Sequence, residues 1–353
     1  MKKFIFIASI ALVIALILGG CAGPAATPAP KEVITLKYNN QNPEAGWDAQ
    51  HSSKPMLRAI EEATGGRIKF EEYFGQTLTK GVDSWEATKS GIADLSWCFF
   101  GYWPGMTTVA DVVALPFMPF QSAEQGSGIL WQLYEKYPSL SAQMKDNKIV
   151  WLWTTSAYFL INNKREVKTM EDLKGLKLRV AGGPPTDQMK LLGVSPMMVG
   201  MPDTYVNIQK GVVDGMAIVW EAIYSFKQYE VVKYYSYAPL HSSYFAYAMN
   251  LNTWNSLPSD IQNQIMSVGG LKGSTFYGKN MFDTIEAEAR ATIKQGNYPM
   301  IEYTIPADEL AKWTKVAGEP LWEAWVKARE AEGVKEAREI LNTTLDLTKS
   351  YKP

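Results

Sequence analysis

The sequence predicts an α/β protein made of two wound units, and three observations carry that reading. Strand-like apolar runs alternate with helix-like runs from residue 33 to residue 100. The same rhythm starts again at Leu176, after an intervening helical stretch. Beyond Pro258, helix formers then run to about Lys294 with no further proline, longer than one small unit normally needs. Strand and helix in regular alternation are the pattern of a sheet wound by crossover helices.

In order along the chain, VITLKY (Val33 to Tyr38) reads as a strand and KPMLRAIEEATGG (Lys54 to Gly66) as a helix closed by glycines. RIKFEEYF (Arg67 to Phe74) reads as a strand, Asp83 to Lys89 as a helix and ADLSWCFF (Ala93 to Phe100) as a buried strand. A helical region from Ala123 to Met144 is interrupted near Pro138, and strands follow at Lys148 to Thr154 and Tyr158 to Asn162. The second unit offers strands at Leu176 to Val180, Ser195 to Met198 and Gly215 to Val219, separated by helices at Pro185 to Leu192 and Pro202 to Lys210. Crossings between the units are expected near Ser156 and Ser243, and the proline-free stretch is expected to be one helix long enough to bridge both. A short strand around Met300 to Tyr303 and helices from Pro306 onward complete the chain.

Lys2 and Lys3, the apolar run Phe4 to Leu18 and the small pair Gly19-Gly20 before Cys21 predict an export signal over residues 1–20. The last four residues resemble the bacterial lipobox, in which the cysteine is lipidated; an ordinary signal peptide or an anchor helix is the alternative. Residues 21–32, rich in Ala and Pro, read as a tether lifting a domain off a bilayer. The expected location is the periplasm or the outer face of the cell membrane, with the membrane reached through lipid on Cys21. A formal charge of −1 gives no basic field for nucleic acid. Cys98 is the other of the two cysteines, so there is no disulfide framework.

Chemistry has few candidates. The two histidines, His51 and His241, stand in no metal or triad motif, and no metal or cofactor is expected. Cys98, between Trp97 and Phe99 on an apolar strand, reads as an inert core thiol. Glycines 182 and 183 lack the spacing of a phosphate loop. Arg179 stands apart, near the carboxyl end of the strand LKLRV, where open α/β sheets place their ligands. A guanidinium there can grip a carboxylate through two parallel hydrogen bonds, although the pattern alone favours a structural salt bridge. Among the 12 tryptophans, Trp47, Trp85, Trp97, Trp103, Trp151, Trp153 and Trp220 fall near predicted strand ends or loops. Each singly suits a core, and together they suggest an apolar small-molecule pocket with few polar anchors.

The segments EDLKGLKLRV, LLGVSPMMV, DTYVNIQKGVVDG, EVVKYYSYAPLH and MNLNTWNSLPSDIQNQI, in this order, resemble the solute-binding subunits of tripartite ATP-independent periplasmic (TRAP) transporters, in the dicarboxylate-receptor-like (DctP) family. Earlier segments agree, EEATGGRIKFEEYFGQTL, GIADLSWCFFGYWPG and ALPFM among them. The resemblance implies a two-lobed periplasmic-binding-protein-like fold with hinge strands, a long helix spanning both lobes and a cleft that closes on ligand. It places lobe 1 at 33–155 plus about 244–285, and lobe 2 at 156–243 plus about 286–353 with the C-terminal helices. It further implies that Arg179 pairs with the carboxylate of a small organic acid, which is then handed to integral membrane subunits of the transporter. In sugar-acid binders of the family a second arginine falls where Tyr158 and Phe159 stand here, and an asparagine falls near Ile218. Aromatic and aliphatic groups in those places favour a monocarboxylate with an apolar or aromatic body over a dicarboxylate. The expected lining is Arg179 with Trp47, Trp97, Phe99, Trp103, Tyr158, Met201 and Trp220. A receptor feeding a membrane sensor and a lipid-anchored hydrolase are the competing classes.

Overall fold

The structure, a computed structural model, describes residues 32–352. The expected export signal, Cys21 and the tether up to residue 31 lie outside the described residues. The chain lays down β1 (Ile34–Asn39), β2 (Ile68–Tyr73), β3 (Leu95–Phe99) and β4 (Lys148–Thr154) and then crosses to a second sheet. There it forms β5 (Phe159–Asn162), β6 (Lys177–Arg179), β7 (Ser195–Met197), β8 (Gly215–Ile218) and β9 (Tyr234–Tyr237). It returns for β10 (Tyr244–Met249) and later adds β11 (Ile301–Thr304) to the second sheet. The strand orders are β2-β1-β3-β10-β4 and β11-β9-β5-β8-β6-β7.

Each sheet is parallel except for one strand that enters from the other half of the chain. β5 runs antiparallel between β8 and β9, and β10 runs antiparallel between β3 and β4. The two crossings lie side by side and bond to each other. Thr155 N–H donates to Ser243 O at 2.9 Å, Tyr158 N–H to His241 O at 2.8 Å, and Leu240 N–H to Tyr158 O at 3.0 Å. A paired ribbon of this kind acts as a hinge, because rotation about it breaks no sheet hydrogen bond.

Around the first sheet lie α1 (Lys54–Ala63), α2 (Ser84–Lys89), α3 (Ala123–Lys136) and the short turn α4 (Pro138–Ser141). In α1, Met56, Leu57 and Ile60 recur at helical spacing and are buried. The helix stops where Gly65 and Gly66 take φ of +60° and +76°, a conformation that L side chains resist. Pro138 ends α3, and Ser122 caps its start by accepting from Gln125 N–H at 3.0 Å. Around the second sheet lie α5 (Pro184–Leu191), α6 (Met201–Gln209) and α7 (Trp220–Ser225).

The expected single helix after Pro258 is broken into pieces. Following α8 (Leu251–Ser256), α9 (Ser259–Val268) ends at Gly269, and Gly270 turns the chain at φ +60° into α10 (Gly270–Gly278). A widened turn over Lys279–Asp283 leads to α11 (Glu286–Gln295). The glycine pair supplies the break. The turn is fixed by Asp283, whose carboxylate accepts from the Ala123 and Glu124 N–H groups at the start of α3, at 2.8 and 2.9 Å. α10 packs on α3 and β4, α11 on α7, so the span between lobes is made by two helices and a turn. The C-terminal α12 (Ala307–Ala317) packs on α5, α13 (Glu319–Ala331) follows it, and α14 (Ala337–Ser350) returns to lie against α3 beside the first sheet.

Aromatic rings account for much of the first core. Trp151 stacks on Tyr247 at 4.1 Å, and Trp153 lies over Tyr277 at 4.2 Å and Phe245 at 5.4 Å. Most of the tryptophan excess is therefore core. Cys98 is buried beside Ser84, and burial pushes its thiol up to about 12. It is expected to stay unmodified by an aromatic disulfide reagent at pH 8 until denaturant is added; stoichiometric reaction in the folded state would contradict this burial.

Candidate ligand-binding site

A cavity with about 370 Å³ of unfilled space lies between the lobes. The first lobe contributes Gln41 and Asn42 beyond β1, Trp97 and Phe99 on β3 and Phe245 on β10, and Met281 and Phe282 come from the widened turn. Across from them stand Arg179, Met201, Ile218, Val219, Glu221, Ala222 and Phe226, with Thr155 and Tyr158 on the crossing. Gln41, Asn42 and Phe99 in the first lobe, and Arg179 and Ile218 with the residues that follow it in the second, lie at carboxyl ends of parallel strands or just beyond them, the position where side chains converge without being consumed by sheet packing.

Arg179 is 2% exposed, and its Nε–H donates to the Val199 carbonyl at 3.1 Å. Among the described residues no carboxylate lies within ion-pair distance of it and no hydrogen bond engages its two terminal nitrogens, while its side chain lines the cavity. A buried guanidinium without a counterion is costly, and a ligand carboxylate is the group that relieves the cost with correct geometry. The surroundings keep this the single charge on its wall. His241 donates from Nδ1 to Gln188 Oε1 at 2.6 Å, since the Gln188 amide is oriented by its own donation to Leu240 O at 2.8 Å. Burial and the nearby Arg179 charge hold His241 down at about 3, so the ring is neutral under Tyr158. Burial raises the Tyr102 and Tyr158 hydroxyls above their usual range, with Arg179 partly opposing it.

Behind Asn42 lies a buried polar cluster. Asp48 accepts from Asn40 and Asn42 at 2.8 Å each, from Ser53 at 2.9 Å and from Tyr277. Burial raises its carboxyl, and these hydrogen bonds pull the other way. The rim of the cavity is closed by hydrogen bonds between lobes. Gly182 N–H donates to Gly101 O at 3.0 Å, Met201 N–H to Tyr102 Oη at 3.0 Å, and Trp47 N–H to Ser225 Oγ at 3.0 Å.

Of the residues expected from sequence, Arg179, Trp97, Phe99, Tyr158 and Met201 come together around the cavity, and three tryptophans do not. Trp47 stacks on His51 at 3.6 Å and donates from Nε1 to Asn280 O at 2.8 Å, which fastens the seam from outside. Trp103 packs among Trp85, Phe100 and Tyr102 and donates to Val82 O at 2.9 Å. Trp220 is committed to Phe159 and Tyr235, with the Arg290 guanidinium 4.6 Å above its ring. In each case the indole finds a packing partner or a backbone acceptor away from the cavity. Sequence reading missed Phe245, Met281 and Phe282, which arrive from distant segments, and Glu221. The rule that singled out Arg179 applies to Glu221 too, since it stands three residues past the apolar strand β8, in the first turn of α7.

A family model for bacterial extracellular solute-binding proteins, family 7 (DctP), matches residues 46–328. The chain belongs to this family. Among solved structures, a TRAP solute-binding protein from Rhodoferax ferrireducens T118 in complex with copurified benzoate superposes with a TM-score of 0.84. It is 27% identical and covers 90% of this chain and 98% of its own. A TRAP solute-binding protein of a marine metagenome, described as specific for aromatic acid ligands and holding 3-hydroxybenzoate, gives a TM-score of 0.84 at 26% identity, over 91% of this chain and 100% of its own. A solute-binding protein of Chromohalobacter salexigens is 31% identical over 203 residues, which is 54% of this chain and 59% of that protein. The chain thus spans less than two thirds of the length of this curated relative. The two-lobed α/β fold expected of the DctP family is the fold observed.

Proposed function

We propose that the protein is the extracytoplasmic receptor of a TRAP-type secondary transporter and captures a small monocarboxylate with an aromatic or apolar body. The observation that carries this reading is the pairing, in one cavity between the lobes, of a buried arginine that has no carboxylate partner among the described residues with a wall of Trp97, Phe99, Phe245 and Phe282. The arginine supplies a bidentate grip on the carboxylate, and the rings supply apolar burial for the body. The solved relatives holding benzoate and 3-hydroxybenzoate support the ligand class. Integral membrane subunits would receive the acid, and lipid on Cys21 would hold the receptor at the outer face of the membrane.

A thermal-shift screen of the mature chain tests the reading, since a ligand bound only by the folded state raises the melting temperature. Benzoate-like and phenylacetate-like acids are expected to raise it by several degrees at 100 times their Kd. Shifts only with dicarboxylates or sugar acids would overturn the ligand class.

A further inference from the structure

The acid capture just described uses Arg179 and the rings, and it leaves one buried carboxyl of the cavity wall without a role. Glu221, in the first turn of α7, is 3% exposed and lines the cavity. Ser225 Oγ lies 2.6 Å from its Oε1, and the same hydroxyl accepts the Trp47 N–H from the opposite lobe at 3.0 Å. Glu221 therefore sits where the second lobe meets the first at the end of the cavity marked by Asn42 and Asp48. Burial, with the Asp48 carboxylate adding to it, pushes Glu221 up to about 8. The groups facing it are Asp48 and its backbone N–H from the first lobe, Ser225 on its own helix and Tyr158 from the crossing. Arg179 lines the same cavity, yet it is Asp48 whose charge raises Glu221.

We propose that Glu221 is a second polar anchor, which selects acids carrying a hydroxyl on the body that the rings enclose. The inference rests on the acid-capturing reading of the cavity. An uncharged carboxyl has one donor and one acceptor side, and a hydroxyl complements it whichever oxygen holds the proton. Ser225 Oγ and the Asp48 N–H occupy part of the bonding capacity of this carboxyl. A bare hydrocarbon ring would add no bond on the side that lines the cavity, and sites built around a hydrogen bond discriminate against analogues that lack it. An uncharged group in this place also spares the cavity a third charge beside the Arg179–carboxylate pair. Ionisation of Glu221 would set a negative charge against an anionic ligand.

The test is titration calorimetry of the mature chain with benzoate and with the 2-, 3- and 4-hydroxybenzoates, for the parent, Glu221→Gln and Glu221→Leu. At pH 6.5 the best hydroxybenzoate is expected to bind the parent about tenfold more tightly than benzoate. Glu221→Leu is expected to erase that difference by weakening the hydroxy acid alone, and Glu221→Gln to keep most of it. Between pH 7 and pH 9.5, with benzoate, which has no group of its own titrating in that range, the parent's affinity falls and that of Glu221→Gln stays level. Equal binding of all four acids by the parent, or equal weakening of all four by the leucine, overturns the role of Glu221 and leaves acid capture intact. Failure of the parent to bind any of the acids overturns the reading on which it rests. Should the leucine variant not melt cooperatively, the pH response of Glu221→Gln against the parent decides alone, and a matching fall in both overturns the proposal.

Discussion

Replacing Arg179 by alanine is expected to lower affinity for an aromatic monocarboxylate by roughly two to three orders of magnitude, the range that corresponds to about 3–4 kcal/mol. The loss has two parts. The ligand forfeits its two parallel hydrogen bonds, and its carboxylate is then buried among Phe99, Met201 and Ile218 with no counter-charge. The unliganded protein should not be destabilised to match, because among the described residues Arg179 gives the fold only the bond from Nε to Val199 O. Arg179→Lys keeps a positive charge, lacks the planar fork and restores only part of the affinity. Calorimetric titration of the three proteins, beside their melting temperatures, separates these terms. An alanine variant that binds within threefold of the parent would remove Arg179 from the role of anchor.

The second large effect is expected from one methyl group at Gly182. Its N–H meets the Gly101 carbonyl across the rim at 3.0 Å, and a Cβ added there would stand 2.6 Å from that oxygen. Gly182 is not in the left-handed region, so alanine suits its backbone when the lobes are apart. Gly182→Ala should therefore fold with an unchanged melting temperature when unliganded and resist closing. Affinity is expected to fall about 10- to 100-fold, mostly through faster release, since a competent state populated less often taxes binding by that fraction. Small-angle scattering provides the check, because the parent should become more compact on adding saturating acid and the variant should not. A variant that compacts and binds like the parent would show that the seam closes without this contact.

Comparison of sequence and structure shows which signals are local. Strands with a partner next in the winding order, such as β1 with β2 and β6 with β7, were legible because apolar content, turn residues and flanking helices all agree over a short window. β9 (YYSY) and β10 (YFAYAM) were not. β10 is buried along its whole length, so no alternation marks it, and its partners lie far back in the chain, Thr154 of β4 paired with Tyr244 and Phe99 of β3 with Phe245. The break at Gly269-Gly270 was visible in the residues and was outweighed by the helix formers on either side. Arg179 was singled out by its place near a strand's carboxyl end, where the pattern alone favoured a structural salt bridge, and only the family resemblance pointed to an anchor. The tryptophans could not be sorted, since an indole suits a core, a seam or a ligand wall, and only the tertiary neighbours of Trp97, Trp47 and Trp220 decide which.

The antiparallel entry of β10 also bears on how the chain comes off the ribosome. β3 and β4 do not touch as partners; β10 stands between them. A nascent chain ending at Thr154 therefore holds two facing strand edges with no strand to join them, and the gap is filled only once Met249 has been made. Contacts so far apart in sequence are slow to form. The first lobe is thus kept from completing itself until most of the polypeptide exists, which favours an unfolded chain, the form able to thread a narrow translocation pore, over a half-built domain.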